Sequence, residues 1–401
     1  MPQQLRIRLS AFAFLAGLLG VVGAITWAGP LDPPAGPVAG TGKTLTEVEP
    51  RIAISLTSTP GDADSRFRIS QPGSYYLTGN MTGVTAKSGI EIAVSGVTID
   101  LMGFEFAGVA GSFEGIRTSV VGLHGITIRN GSVRNWGSTG INMSTFEVKS
   151  GLIEGVGASG NGESGIVAAN SVITRCTAGG NTGDGIGSFT SAVISFCTAN
   201  GNGRRGIAAT QNCEISHCTA NGNTSGGILA GIGSTVTDCM ANSNDSLGIS
   251  VSFGSVTNCI AKGNSGSGIS AGSGSRVSGC TADSNDLDGI TLSSDCVVLN
   301  NTCDSNGLST TETGAGIRAT ASDNRIEGNN CTDADFGIVC SSPGNIIVRN
   351  TCAGNTTNWS LVANNVYGPI IDRTAPGSAA VSGNAAADAT GSTHANANFS
   401  Y

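Results

Sequence analysis

The chain has 401 residues; 61 are glycine and 12 cysteine, aromatic residues make up 5% and charged residues 12%. Its formal net charge of −8 disfavours nucleic acid and anionic membrane as partners. The same charge disfavours a polyanion such as pectate, unless calcium bridges the two.

Residues 1–28 read as a secretory signal: Arg6 and Arg8 form the basic region, Leu9 to Ile25 the apolar stretch, and Ala24 or Ala28 suits cleavage. An uncleaved anchor is the alternative, but the apolar run is short for a span and broken by glycines. No second long apolar run follows, so the mature chain is expected to be exported, with no membrane span, as a secreted, periplasmic or cell-surface protein. Residues 29–85 are expected to form a Pro/Gly-rich linker and an N-terminal cap, with short strands at Arg66–Ile69 and Ser74–Leu77.

From Ile90 a Gly-Ile pair recurs, its isoleucines at Ile90, Ile116, Ile141 and Ile166, then Ile186, Ile207, Ile228, Ile249, Ile269, Ile290, Ile317 and Ile338. A period near 21 residues means one supersecondary unit per repeat, stacked on copies of itself. Gly and Asn leave no room for a long helix, so three short strands joined by tight turns fit. The spacing predicts an all-β solenoid over 86–357, with about twelve coils and a length of roughly 55–60 Å. An insertion around Leu308 to Thr313 lengthens one late coil. Residues 358–401 are expected to supply a C-terminal cap, with Trp359, Tyr367 and Ile371, and a loose Ala/Ser/Asn-rich tail.

The lining follows when each repeat is numbered from the aliphatic residue at Ile173, Ile194, Ile215, Val236, Val256 and Val277. Position +3 is Cys176, Cys197, Cys218, Cys239, Cys259 and Cys280; +5 is alanine; +8 is Asn181, Asn202, Asn223, Asn244, Asn264 and Asn285. Residues two apart on a strand share a face, so 0, +3 and +5 point inward. The asparagines are read as turn residues tolerant of left-handed backbone, their amides bonding between coils. All twelve cysteines fall on inward positions, against a zinc site or a disulfide scaffold, and are read as buried apolar filler. From Val298 onward +3 becomes Asn301, Asn329 and Asn350, and cysteine moves to +5.

Chemistry must then lie on outward positions. Position +2 reads Arg175, Phe196, His217 and Asp238 on successive coils: a cation, an aromatic platform and a His-Asp pair in one line, the types that a carbohydrate groove or a catalytic site needs. A solvated face is the plainer reading, since a solenoid stacks any surface residues into lines. Position +6 brings Asp283 and Asp304 together beside Lys262. Two carboxylates one coil apart match the retaining-glycosidase separation of roughly 5 Å, or could hold calcium, or make an ordinary ion pair with the lysine. Trp136, following Arg134 in a turn, could stack on a sugar or cap a coil corner. Asp100 and Arg129 should face each other as a surface pair.

The Gly-Ile rhythm and the Asn rank resemble right-handed parallel β-helix proteins of the pectin-lyase-like superfamily, over roughly residues 85–365. That resemblance implies the right-handed fold and, as a substrate class, extracellular polysaccharide or cell-surface glycan, bound and, if catalytic, cleaved by a lyase or glycoside hydrolase. The three-aspartate set of polygalacturonases and the calcium-plus-arginine set of pectate lyases are not evident. The segments "SRFRISQPGSYYLTGN", "GVTIDLMGF" and "ITIRNGSVRNWG" and the ending "ANFSY" are similar to a group of secreted bacterial β-helix proteins common in planctomycetes; this second resemblance implies no activity. The alternative is a non-catalytic surface, adhesion or matrix protein.

Overall fold

The computed structural model describes residues 50–144, 148–307, 313–374 and 395–401. The chain divides into Met1–Pro50 and Arg51–Tyr401, and the description concerns the second unit. The expected leader and Pro/Gly linker, residues 308–312 of the insertion, and residues 375–394 of the tail lie outside the described residues.

Two ladders run along the unit, of 28 and 14 strands, in a parallel β-solenoid with right-handed winding. Most coils give two strands to the first sheet and one to the second; in two coils the pair merges into one long strand, Ile126–Arg134 and Gly151–Ser159. The Gly-Ile isoleucines stack in register in the second sheet, Ile186 on Ile207 on Ile228. The rank extends past the Gly-Ile pairs at both ends, with Phe67 on Ile90 and Trp359 on Ile338. The 14 strands therefore exceed the expected twelve coils. The first and last coils carry an aromatic residue where the others carry isoleucine, and a count of Gly-Ile pairs misses them.

The regions expected to be caps also join the ladders. Ser65–Ile69 and Gly73–Tyr76 pair in parallel with Ser88–Ile92 and Val97–Asp100, so the solenoid begins before residue 86. At the other end Thr357–Leu361 continues the second sheet, and Asn398–Ser400 returns to pair with Thr351–Ala353 and Ile370–Asp372.

Three left-handed residues per coil make the corners. They stand at −3, +2 and +7: Asn212 (φ 50°), His217 (φ 53°) and Gly222 (φ 62°) in one coil, Ser191, Phe196 and Gly201 in the coil before. The residue after each corner, at −2, +3 or +8, points inward. The asparagine at +8 is thus not the left-handed residue, as the sequence suggested; its predecessor is. One-residue corners free this inward residue to serve the backbone of the neighbouring coil.

That service is hydrogen bonding along the axis. At +8 the Asn202 amide N–H and Nδ2 both donate to Asn223 Oδ1 at 3.0 Å, and Asn202 Nδ2 also donates to the Ala178 carbonyl. The column runs unbroken from Asn161 to Asn306, every member buried. At −2, Cys213 N–H donates to Ser234 Oγ and Cys296 N–H to Asn324 Oδ1. At +3, Cys218 N–H donates to Cys239 Sγ at 3.4 Å and Cys239 N–H to Cys259 Sγ at 3.5 Å, while each thiol donates to the position-0 carbonyl of the preceding coil. All twelve cysteines are buried and unpaired. The expectation of inward thiols holds, but at +3 they are not inert filler, since they accept and donate. Elsewhere burial dominates: it pushes the Cys340 thiol up to about 12, so that thiol stays neutral.

The glycine of Gly-Ile has a steric cause. A Cβ on Gly206 would lie 2.7 Å from Asn223 Nδ2 and from Ala220 Cβ, inside the core. The expected Asp100–Arg129 pair forms, with Nε to Oδ2 at 3.1 Å, but Asp100 is buried, and Arg51 approaches it at 3.6 Å. It is therefore less a surface pair than the sequence suggested.

Candidate functional site

The structure assembles the corner row. Arg175, Phe196, His217 and Asp238 occupy the left-handed +2 position of successive coils. The Phe196 and His217 rings stack at 4.7 Å with an 18° tilt. His217 Nε2 lies 3.6 Å from Asp238 Oδ2, too long for a hydrogen bond but close enough for charge attraction once the imidazole is protonated. Arg175 turns instead to Glu154, at 2.7 Å. All four side chains are exposed. His217 covers one face of Phe196, so the aromatic platform expected there is half occupied by its own neighbour.

The carboxylate pair is also adjacent, with Asp283 and Asp304 in register. Lys262 Nζ lies 2.6 Å from Asp283 Oδ2, and Ser284 Oγ donates to Oδ1 at 2.6 Å. Burial raises the Asp283 pKa, but these two partners outweigh it and leave the carboxyl below its ordinary value. A general acid needs the opposite shift, so this geometry suits an ion pair. Asp304 accepts a hydrogen bond from Thr332 Oγ1 at 2.6 Å.

Trp136 does not reach solvent. It stands at +8 from Ile128, the ladder position of later coils, and is 1% exposed. Its indole N–H donates to the Phe106 carbonyl, its ring packs on Phe106 at 4.8 Å, and its amide N–H donates to Asn161 Oδ1. A ring buried in this way offers no face to a sugar and fits the coil-corner reading instead; Trp136 terminates the asparagine column.

The outer face of the second sheet holds two concavities, and a third, of about 400 Å³, lies apart from it beside Asn306, Asp333 and Asp335. From Ile166 on, the residue after each Gly-Ile isoleucine points outward from the second sheet, in a register that runs from Val167 through Leu229, Ser250, Thr291 and Arg318 to Val339 and ends on Ser360, which follows Trp359. None is fully exposed, and the rank runs from small and apolar residues through the hydroxyls of Ser250, Ser270 and Thr291 to Arg318, Val339 and Ser360. A concavity of about 220 Å³ opens at Leu229 and Ser250, beside Arg205 and Leu247. A second, of about 470 Å³, opens at Arg318 and Val339, beside Asp288, Phe336 and Ser360. There Asp288 is buried and accepts Arg318 Nε on both oxygens (2.9 and 3.0 Å), the Ala315 amide at 2.9 Å and Thr291 Oγ1 at 3.1 Å, while Ser267 Oγ lies 3.0 Å from Thr291 Oγ1. The N-terminal end of the face is charged but self-compensated, Glu91 lying between Arg68 (3.2 Å) and Arg117 (2.7 Å). The residue after each Gly-Ile pair marks this rank in the sequence, but not its concavities.

Neither concavity of this face is lined by the corner row or by Asp283 and Asp304. Among the described residues, no group of three or more His, Cys, Asp or Glu side chains could hold a metal ion, and no helix is long and apolar enough to cross a membrane.

Residues 208–353 match a family described as "Right handed beta helix region". Solved structures similar to this chain include the A-module of the Azotobacter vinelandii mannuronan C-5 epimerase AlgE4, with 14% identity over 79% of this chain and 87% of that one and a TM-score of 0.42. They also include the pectate lyase Pel9A, with 20% identity over 55% and 72% and a TM-score of 0.35. A third is the catalytic domain of a GH87 alpha-1,3-glucanase, with 12% identity over 68% and 62% and a TM-score of 0.38. No curated protein matches the sequence.

Proposed function

We propose that this is an exported β-helix protein that binds an extended polysaccharide along the outer face of its second sheet. The observation that carries this reading is the pair of concavities on one outward face, four coil steps or roughly 19 Å apart. A small ligand would use one of them; a linear polymer can occupy both. The face between them offers the hydroxyls of Ser250, Ser270 and Thr291, and its first part offers apolar contact, the two chemistries that pyranose rings present.

A second reading has its own support. The row Arg175, Phe196, His217 and Asp238 holds four bulky or charged side chains in succession in left-handed backbone, where Asn258, Gly279, Asn300 and Gly328 occupy the same position in the next four coils and Arg349 in the one after. Such residues cost of order 1 kcal/mol each, and strain of this kind gathers at functional sites. The row would then supply the glycan contacts, with His217 and Asp238 as candidates for proton transfer.

One experiment separates the two. The mature protein is tested on acidic and neutral polysaccharides, with and without calcium, following retention together with unsaturated and reducing sugar ends. Ser270→Trp should abolish retention while Phe196→Ala and His217→Ala leave it intact; the reverse pattern places the ligand on the corner row. An absorbance rise from unsaturated ends would make the protein a lyase, and reducing ends alone a hydrolase. No retention of any polymer overturns the glycan reading in favour of an adhesion or matrix role.

A further inference from the structure

We propose that the Arg205 concavity is a subsite for a single anionic substituent, carboxylate or sulfate, on an otherwise neutral glycan. The proposal rests on the glycan reading above and names the class of polymer that the face would prefer.

The concavity exists because a side chain is missing. Arg205 is in register with Gly226, which is in register with Leu247, all at the position two before the Gly-Ile isoleucine. Gly226 adopts φ +148°, and a Cβ there would meet the Leu247 carbonyl at 3.0 Å, so the gap is built into the backbone. It opens beside Leu229 on the outward face and is about 220 Å³ in volume.

Its polar lining is unused. Arg205 is half-buried, and its guanidinium makes no hydrogen bond or ion pair among the described residues. The hydroxyls of Ser246 and Ser250, also half-buried, likewise have no partner there. Most other arginines along the second sheet are committed: Arg68 to Asp62 and Glu91, Arg117 to Glu91, Arg318 to Asp288. A guanidinium on a partly desolvated face, flanked by free hydroxyls and by Leu247, is a fork for one carboxylate or sulfate with apolar contact for the ring that carries it. The net charge of −8 opposes a dense polyanion. The unpaired guanidinium of Arg205 in an acidic molecule therefore selects a sparsely charged chain.

The test uses the mature protein and two backbones, dextran and hydroxyethylcellulose, each unmodified, lightly carboxymethylated and lightly sulfated, with polygalacturonate as the dense polyanion. Retention in affinity electrophoresis should be about tenfold tighter for a lightly charged polymer than for its neutral parent, and weaker for polygalacturonate. The carboxymethyl and sulfate arms identify the anion. Arg205→Ala should bring the charged polymer to the neutral level without loosening the neutral one. Arg205→Lys should recover only part of the preference, and unchanged thermal midpoints show that both variants fold. A preference that survives Arg205→Ala, or neutral and charged polymers held equally, overturns the proposal while the glycan reading stands. Retention of no polymer on either backbone removes both.

Discussion

Cys280 and Asn301 occupy the same corner of successive coils, and the amide N–H of Cys280 donates to Asn301 Oδ1 at 2.9 Å. One coil earlier, the Cys259 N–H donates to Cys280 Sγ at 3.5 Å. The cysteine thiol donates to the Val256 carbonyl, and Asn301 Nδ2 to the equivalent Val277 carbonyl. Cysteine and asparagine therefore do the same work at this corner, with sulfur as the weaker and longer acceptor.

This equivalence predicts an unusual order of substitutions at Cys239. If the thiol were apolar filler, alanine would be the mildest change and asparagine the worst. Because the Cys218 amide needs an acceptor, Cys239→Ala should cost about 1–3 kcal/mol, the penalty of a buried orphaned N–H. Cys239→Asn should fall within about 1 kcal/mol of the parent chain. Urea unfolding monitored by circular dichroism gives the order, and alanine milder than asparagine would return the column to simple packing.

Trp136 marks where the asparagine column stops, and its substitution separates packing from recognition. Trp136→Ala removes a fully buried indole and its bond to the Phe106 carbonyl, so a loss of about 3–5 kcal/mol is expected. Trp136→Phe should lose less. Neither change should alter polysaccharide retention at a temperature where the variant is folded. A selective loss of binding with little loss of stability would put the ring at a ligand.

The inward positions were legible in the sequence because packing repeats: the pattern of Ile194, Cys197, Ala199 and Asn202 recurs through the six coils from Ile173 to Val277, and all four are buried. The chemistry of those positions was less legible. That Cys197 hydrogen-bonds rather than merely fills depends on a left-handed residue just before it, and Phe196 is not a residue from which a positive φ would be guessed. Of the two readings open for Trp136, its burial fits the coil corner, since Asn135 carries that corner and turns the indole inward. The outward face with the concavities was not legible as a site. Its depth comes from walls such as Arg205 and Leu247 around Gly226, and relief of that kind is set by side chains on three coils together.

The strain at Phe196 can be measured. Asparagine and glycine tolerate left-handed backbone and phenylalanine does not, so Phe196→Asn should raise stability by about 0.5–1 kcal/mol despite the loss of the stack on His217. A thermal midpoint that falls instead would show that the ring contact exceeds the strain. If polysaccharide retention falls while stability rises, the corner row is a binding surface kept at a cost in stability.

Asp283 supplies a prediction in pH. Burial acts to raise its pKa, but the Lys262 ammonium at 2.6 Å and the Ser284 hydroxyl lower it further, so the folded value lies below the unfolded one. Its contribution to stability is then fully present above the unfolded carboxylate range and is lost as pH falls through the folded value. In Lys262→Met the burial effect is opposed only by Ser284, and the Asp283 midpoint should move upward, as read by carbon-detected NMR titration. Lys262 is exposed, so the stability change should be small, and molar salt should reproduce most of it in the parent chain. A midpoint that does not move would mean that Lys262 does not hold the carboxylate in solution, and the pair of Asp283 with Asp304 would again be open to a catalytic assignment.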